Sequence, residues 1–143
     1  MGGRGAHLDR NEDGTLKVKE WKTVEVFVVS LENRFVSVRV LERDNSSKPM
    51  ALPGYSNKPN EIYAMRDPIT GIISRIRLYD EKCKGYLDLE YHGKSFNQIP
   101  FYHKHFINYE AKTKRERGHA GEHLPITSDD QIKYKELLEM LNT

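Results

Sequence analysis

The stretch YLDLEYHGKSFNQIPFYHKHF carries side chains that could do chemistry within a short length of chain. Asp88 and Glu90 are two residues apart, and so are His103 and His105. Side chains two residues apart project to the same side of a β-strand. His92 follows the acidic pair at the same spacing. If these strands are neighbours in a sheet, the five side chains share one face.

Two kinds of chemistry fit these residue types. Histidine titrates near neutral pH, so the pair could act as general base and general acid in cleaving a phosphodiester. Arg75 or Arg77 would then stabilise the negative charge that develops on the phosphate. Three histidines, or two with a carboxylate, could instead hold a divalent metal ion, and the sequence leaves this open. The H-x-H spacing also arises by chance, as two half-exposed strand histidines.

The acidic pair has a simpler explanation as well. If Tyr79 of IISRIRLY pairs with Tyr86 of YLDLEYH across the turn between them, Arg77 faces Asp88. In the same register, Arg75 faces Glu90. Opposite charges directly across a strand pair stabilise it by roughly 0.2–1 kcal/mol each. The carboxylates could therefore serve only as ion-pair partners on a solvated face.

Further candidates lie closer to the C-terminus. The segment KTKRER is a solvated loop or a phosphate-contacting strip, with the cations Lys112, Lys114, Arg115 and Arg117. A net charge of +2 is too small to imply nucleic acid by itself. His119 and His123 are interrupted by glycines, so we predict that they lie in a loop outside the site. The single cysteine, Cys83, excludes an intrachain disulfide and a zinc site built on cysteine pairs.

The elements that must position these groups are mostly strands. Period-two or Val-rich patterns predict strands over 23–31, 35–41, 61–66, 72–79, 86–92 and 101–110. The first is apolar on both sides, so we predict that it lies inside the sheet or under a helix. Near the end of the chain a helix is predicted, capped by Ser128 with Gln131. Its sheet-facing residues would be Ile132, Leu137, Leu138 and Leu141.

These patterns predict an α+β domain, a mostly antiparallel sheet of about five strands with a C-terminal helix packed on it. We expect a flexible segment over 1–15 and a single domain over 16–143. Residues 44–60 contain three prolines and are predicted to form a long loop or a linker, and their Pro and aromatic content favours a loop over the core. The chain has no apolar run long enough to span a membrane and no secretion signal, so we expect a cytoplasmic protein.

Part of the chain, roughly residues 50–142, resembles a family of small domains found in bacteriophage and mobile-element proteins. Some of these domains lie at the C-terminal ends of minor head proteins or of polymorphic-toxin-like chains. The resemblance is carried by LPGYSNKPNEIYAM (52–65), RLYDEK (77–82), YLDLEYH (86–92), IPFYHKHF (99–106) and HLPIT (123–127). The opening MGGRGA is also similar to the start of such proteins.

The resemblance implies which residues matter. Arg77, Tyr79 and Asp80 match the family's R-x-Y-D element. Asp88 and Glu90 match its acidic strand, and His103 and His105 match the two histidines of its P-H-x-H motif. The chain departs from the pattern because Phe101 and Tyr102 separate Pro100 from the first histidine. A nuclease-toxin-like domain that cleaves RNA or DNA is the implied activity.

Two functions from different classes follow. In the first, a phage or mobile-element nuclease, His103 and His105 are the acid–base pair and Asp88 or Glu90 orients one of them. Its partner is nucleic acid. In the second, the chain is a non-enzymatic inhibitor of a host nucleic-acid-binding protein, docking through its acidic pair and surface aromatics. A structural role in the virion is a third reading.

Overall fold

The computed structural model describes residues 21–43, 52–67, 69–92, 101–110 and 117–143, so the predicted flexible segment 1–15 lies outside it. Within these ranges the strands are β1 (Trp21–Leu31), β2 (Arg34–Arg43), β3 (Ile62–Arg66), β4 (Ile73–Tyr79), β5 (Gly85–Tyr91), β6 (Tyr102–Glu110), β7 (Arg117–Ala120) and β8 (Leu124–Pro125). Two short helices follow, α1 (Ser128–Lys133) and α2 (Lys135–Met140).

Strands β1 to β7 lie side by side in sequence order, and β8 pairs with β6. Neighbours are antiparallel except β2 and β3, which are parallel. The predicted α+β class with a mostly antiparallel sheet is confirmed. The prediction of about five strands is too low, because β7 and β8 are short pieces of Gly-, His- and Pro-containing sequence without alternation.

The helices cover one face of the sheet. Leu137 and Leu141 are buried there against side chains of β1 to β5, as predicted. Ile132 was predicted to join them, but it is 80% exposed. The helix is interrupted at Tyr134, which leaves helical geometry and is itself buried, so α1 and α2 do not share one continuous apolar stripe. No helix in the described part of the chain is long and apolar enough to cross a membrane.

The cap of α1 also differs from the prediction. Thr127, not Ser128, is the N-cap, and its hydroxyl accepts a hydrogen bond from the backbone N–H of Asp130. Asp130 completes the capping box by accepting from the Thr127 backbone N–H at 3.0 Å, so Gln131 takes no part. Lys104 of β6 donates to the same carboxylate at 2.6 Å. The start of the helix is thereby fixed to the sheet.

Asp130→Asn is expected to lower the free energy of unfolding at pH 7 by about 1–2 kcal/mol. Burial alone would raise the pKa of Asp130, but the bonds from Lys104 and Thr127 lower it below its ordinary value. This stabilisation is therefore present above the ordinary carboxyl pKa and is lost as pH falls through the lowered one. Urea unfolding across this range measures it. Asp129→Asn is the exposed control, and an equal loss in both variants would contradict the account.

Strand β1 is an edge strand, so the prediction that it lies inside the sheet is wrong. The alternative, cover by a helix, holds for its C-terminal end, where the Ser30 N–H donates to Glu136 of α2. Only its ends reach buried clusters, through Trp21 at the start and Val29 and Leu31 at the finish. Between them Val26 and Val28 are exposed. Apolar side chains on both faces suggested double burial, but the hairpin of β1 and β2 extends beyond what the helices cover.

The other face of the sheet is covered by an irregular segment, residues 52–60. Leu52 is fully buried there with Tyr63 and Tyr79. The Tyr79 hydroxyl donates a hydrogen bond to the Pro53 carbonyl. The predicted loop over the core is confirmed for this part, whereas 44–51 lies outside the described residues. This loop closes one side of the face on which the candidate site lies.

Candidate functional site

The polar residues singled out from the sequence lie in two rows across β4, β5 and β6. The rows are Arg75–Glu90–His103 and Arg77–Asp88–His105. Leu87 and Leu89 alternate with the acidic residues and point to the helix-covered core, so the rows project from the opposite face. The predicted facing of each arginine and carboxylate is confirmed, although the register shifts after Leu78 and Tyr79 pairs with Gly85 instead of Tyr86. The face is buried, however, and not the solvated surface that simple ion pairs would need.

Arg77 and Asp88 form a closed pair inside the protein. The guanidinium donates to both carboxylate oxygens, at 2.6 and 2.7 Å, and also to the Leu52 carbonyl at 2.8 Å. Both side chains are buried. The pair ties the loop at Leu52 to the sheet, and neither member lies where a substrate could contact it. The structure therefore places these two predicted site residues in a supporting position.

Glu90 is the centre of the second row. Its Oε1 lies 3.2 Å from Nη2 of Arg75 and 3.5 Å from Nε2 of His103, and its Oε2 lies 3.3 Å from Nε2 of His105. Nε2 of His92 is 3.7 Å from Oε1. Burial alone would raise the pKa of Glu90, but contacts with His103 and His105 and the charge of Arg75 hold it far below its ordinary value. Glu90 is ionised and surrounded by donors.

His105 is fixed between two acceptors. Its Nδ1 lies 2.8 Å from the Gly121 carbonyl, which can only accept, so Nδ1 carries the hydrogen. Its Nε2 faces Glu90. Burial alone would lower the pKa of His105, but the Glu90 carboxylate and the Gly121 carbonyl raise it above its ordinary value. A Cβ at Gly121 would stand 3.0 Å from the Phe106 carbonyl oxygen, so a larger residue here would have to displace the backbone of β6 slightly.

His92 and His123 lie over the buried His103. Their ring centroids are 4.9 and 4.7 Å from that of His103, and His123 is 4.3 Å from His105. Burial together with the neighbouring imidazoles lowers the pKa of His92 and of His123. The side chain of His92 is 35% exposed, and His123 lies at the surface. These rings are the accessible part of the cluster.

His123 is the member that sequence reasoning missed. The loop prediction is confirmed for His123 and wrong for His119, which lies in β7. The exclusion of His123 from the site is also wrong, because β8 pairs with β6 and brings residue 123 beside His103. The H-x-x-x-H spacing of His119 and His123 was the sequence feature that could have pointed to His123, but it does not indicate that β8 pairs with β6. Of the predicted cationic strip, Lys112, Lys114 and Arg115 lie outside the described residues. Arg117 begins β7, and its side chain is not described.

The cluster has a buried floor and an accessible rim. The side chains of Glu90, His103 and His105 are 4%, 0% and 5% exposed. The rim consists of His92, His123 and Arg75, whose side chain is 25% exposed. A substrate would contact the rim, while the buried floor would hold the rim in place or bind an ion. No protein-family model, curated protein or solved structure matches this chain, so its function is inferred from this cluster.

Proposed function

We propose that the protein is a nuclease that cleaves phosphodiester bonds of RNA or DNA at this cluster. The observation that carries the proposal is the convergence of imidazoles from β5, β6 and the 121–123 loop around one carboxylate, Glu90, with an arginine beside it. Imidazoles, a carboxylate and a guanidinium are the groups that phosphodiester cleavage uses. We further propose that it acts in the cytoplasm, in a phage or mobile-element context.

The accessible groups supply the contacts with substrate. Ring nitrogens of His92 and His123 lie within 4.8 Å of each other beside His103. One imidazole can therefore take a proton from the attacking group, the 2′-hydroxyl of RNA or a water molecule, and the other can protonate the leaving oxygen. The planar guanidinium of Arg75 matches a phosphate and is partly exposed. His103 and His105, first considered as the acid–base pair, are too deeply buried to touch a polymer directly. They act in this proposal through the groups above them.

The resemblance to phage and mobile-element domains supports the same activity. The motif residues Glu90, His103 and His105, which carry the resemblance, are in contact here although they come from separate segments. Arg77 and Asp88, also in the pattern, form the pair that fixes the covering loop. Ionisable residues of one motif that converge in a cleft are a common feature of functional sites.

The proposal is tested by offering the full chain single-stranded RNA, single-stranded DNA and duplex DNA, each with and without added zinc. Wild-type protein is expected to cleave at least one of them. The His92→Ala, His123→Ala double variant, whose rings lie at the surface, is expected to cleave it about 10²–10⁴-fold more slowly. Phe106→Ala, next to His105 but on the opposite face, is the control and should keep the wild-type rate. Unchanged cleavage by the double variant would overturn the assignment.

A second candidate function is the non-enzymatic inhibitor that binds a host nucleic-acid-binding protein. It is favoured by the exposed apolar side chains of the β1–β2 hairpin, with Val28 65% and Phe35 83% exposed. The acidic pair cannot be the docking surface, because Asp88 and Glu90 are buried. This candidate predicts no cleavage by wild type and loss of partner capture in Val28→Asp.

A further inference from the structure

We propose that Glu90, His103 and His105 form a binding site for a divalent transition-metal ion, with zinc the best match. The inference goes beyond the proposed function, because an ion can bind whether or not the protein cleaves nucleic acid. Two imidazole nitrogens and one carboxylate oxygen are the protein ligands of one common type of catalytic zinc site, in which a fourth position stays open. The three donor atoms here all lie within 4.8 Å of one another.

The spacing of the donor atoms is close to that of the ligands of one ion. Ligand atoms about 2.0–2.1 Å from a tetrahedral zinc ion lie about 3.3 Å from each other. Nε2 of His105 is 3.3 Å from Oε2 of Glu90, and Nε2 of His103 is 3.5 Å from Oε1. These contacts are close to the separation expected between two ligands of one zinc ion.

The orientation of His105 is the one a metal ligand needs. Its Nδ1 donates to the Gly121 carbonyl at 2.8 Å, which leaves Nε2 as the atom that a second proton or a metal ion can occupy. A hydrogen bond from the other ring nitrogen to a carbonyl is the usual support of a metal-bound histidine. Arg75 restrains the carboxylate in a similar way, with Nη2 3.2 Å from Oε1 of Glu90.

A second group of three histidines is less suitable. His92, His103 and His123 also place donor atoms within 4.8 Å. The rings of His92 and His103 are stacked, with planes only 11° apart. An imidazole binds an ion in its ring plane, and two stacked planes do not meet. The rings of His103 and His105 are 87° apart, so stacking does not stand against this pair. The geometry therefore favours the group that contains Glu90.

The test is calorimetric titration of chelator-treated full-length protein with Zn²⁺, repeated with Co²⁺, whose visible absorption reports four-coordinate binding. One equivalent is expected to bind. His103→Ala and the isosteric Glu90→Gln should each weaken binding by at least about 100-fold, whereas His123→Ala should change it less than about threefold. Circular dichroism confirms that each variant is folded, and Glu90→Gln keeps the side-chain volume if His103→Ala unfolds.

Wild-type affinity in the Glu90→Gln variant, or no zinc binding by wild type, would overturn the inference. Equal loss in His123→Ala and His103→Ala would overturn the choice of ligands in favour of the three-histidine group. Zinc binding without cleavage of any nucleic acid would sink the proposed function and leave the ion site standing. Cleavage by metal-free protein that binds no zinc would overturn the ion site and support the proposed nuclease function.

Discussion

Replacing Arg77 with methionine is expected to lower the free energy of unfolding by about 3–5 kcal/mol. The substitution leaves the Asp88 carboxylate buried without the guanidinium that contacts both of its oxygens at 2.6 and 2.7 Å. It also removes the donor to the Leu52 carbonyl, so the loop that covers this face loses one of its attachments to β4 and keeps the one from Tyr79. An unpaired buried charge is far more costly than the pair is stabilising. Urea denaturation at pH 7 measures the change.

Arg39→Met is the matched control, because Arg39 lies on β2 of the same sheet and is exposed. It is expected to change stability by less than about 0.5 kcal/mol. A double variant, Arg77→Met with Asp88→Leu, should recover most of the loss, since a buried pair can be replaced by apolar side chains of similar volume. An Arg77→Met protein as stable as the Arg39→Met protein would show that the pair does not hold this face together.

Glu90→Gln is expected to reduce kcat for nucleic-acid cleavage by about 10²–10⁴-fold. Glu90 is too buried to touch substrate, so it acts as a positioning residue through His103, His105 and Arg75. The amide has the same size but carries no charge, and it cannot accept from these donors with both of its terminal atoms. Because substrate meets the accessible rim, KM should change little while kcat falls. Steady-state kinetics on the cleaved substrate separates the two parameters.

Glu139→Gln makes the same chemical change at an exposed position of α2 and should leave both parameters at wild-type values. A purely structural role for Glu90 would appear as a lowered melting temperature with normal kcat below it. That result, or a rise in KM with kcat unchanged, would contradict the assignment of Glu90 as the group that positions the imidazoles.

The sequence predicted the register of the site well. Period-two alternation in β4 and β5 and the short turn between them set which residues face each other, and the Arg75–Glu90 and Arg77–Asp88 pairs follow from it. The neighbouring position of β6 then brings His103 opposite Glu90. Strand alternation is a local property with a period of exactly two residues, so short segments are enough to read it.

Burial of the site could not be predicted in the same way. The face is closed by the 52–60 loop and by the chain around Gly121 and His123, neither of which has a periodic pattern. Their positions depend on contacts with residues far away in sequence, such as Arg77 with the Leu52 carbonyl. For this reason a half-exposed position remained an alternative for His105, and His123 was expected to lie elsewhere, although the two rings are 4.3 Å apart.

The errors at Ile132 and in β1 have a related cause. Spacing along a helix indicates which residues share a stripe only while the helix continues, and the break at Tyr134 shifts the face of α1 away from the core. The Val-rich pattern of β1 indicates strand but does not show how much of the sheet the helices cover. Two helices of six residues each are too short to reach the middle of β1.

If the imidazoles around Glu90 form one reaction centre, the His103→Ala, His105→Ala double variant should lose activity. The measurement is the initial rate of nucleic-acid cleavage by wild-type protein and by this variant, at a temperature where both are folded. We expect clear cleavage by wild type and a rate at least about 10²-fold lower for the variant. Equal rates for the two proteins, on RNA and on DNA, would contradict it.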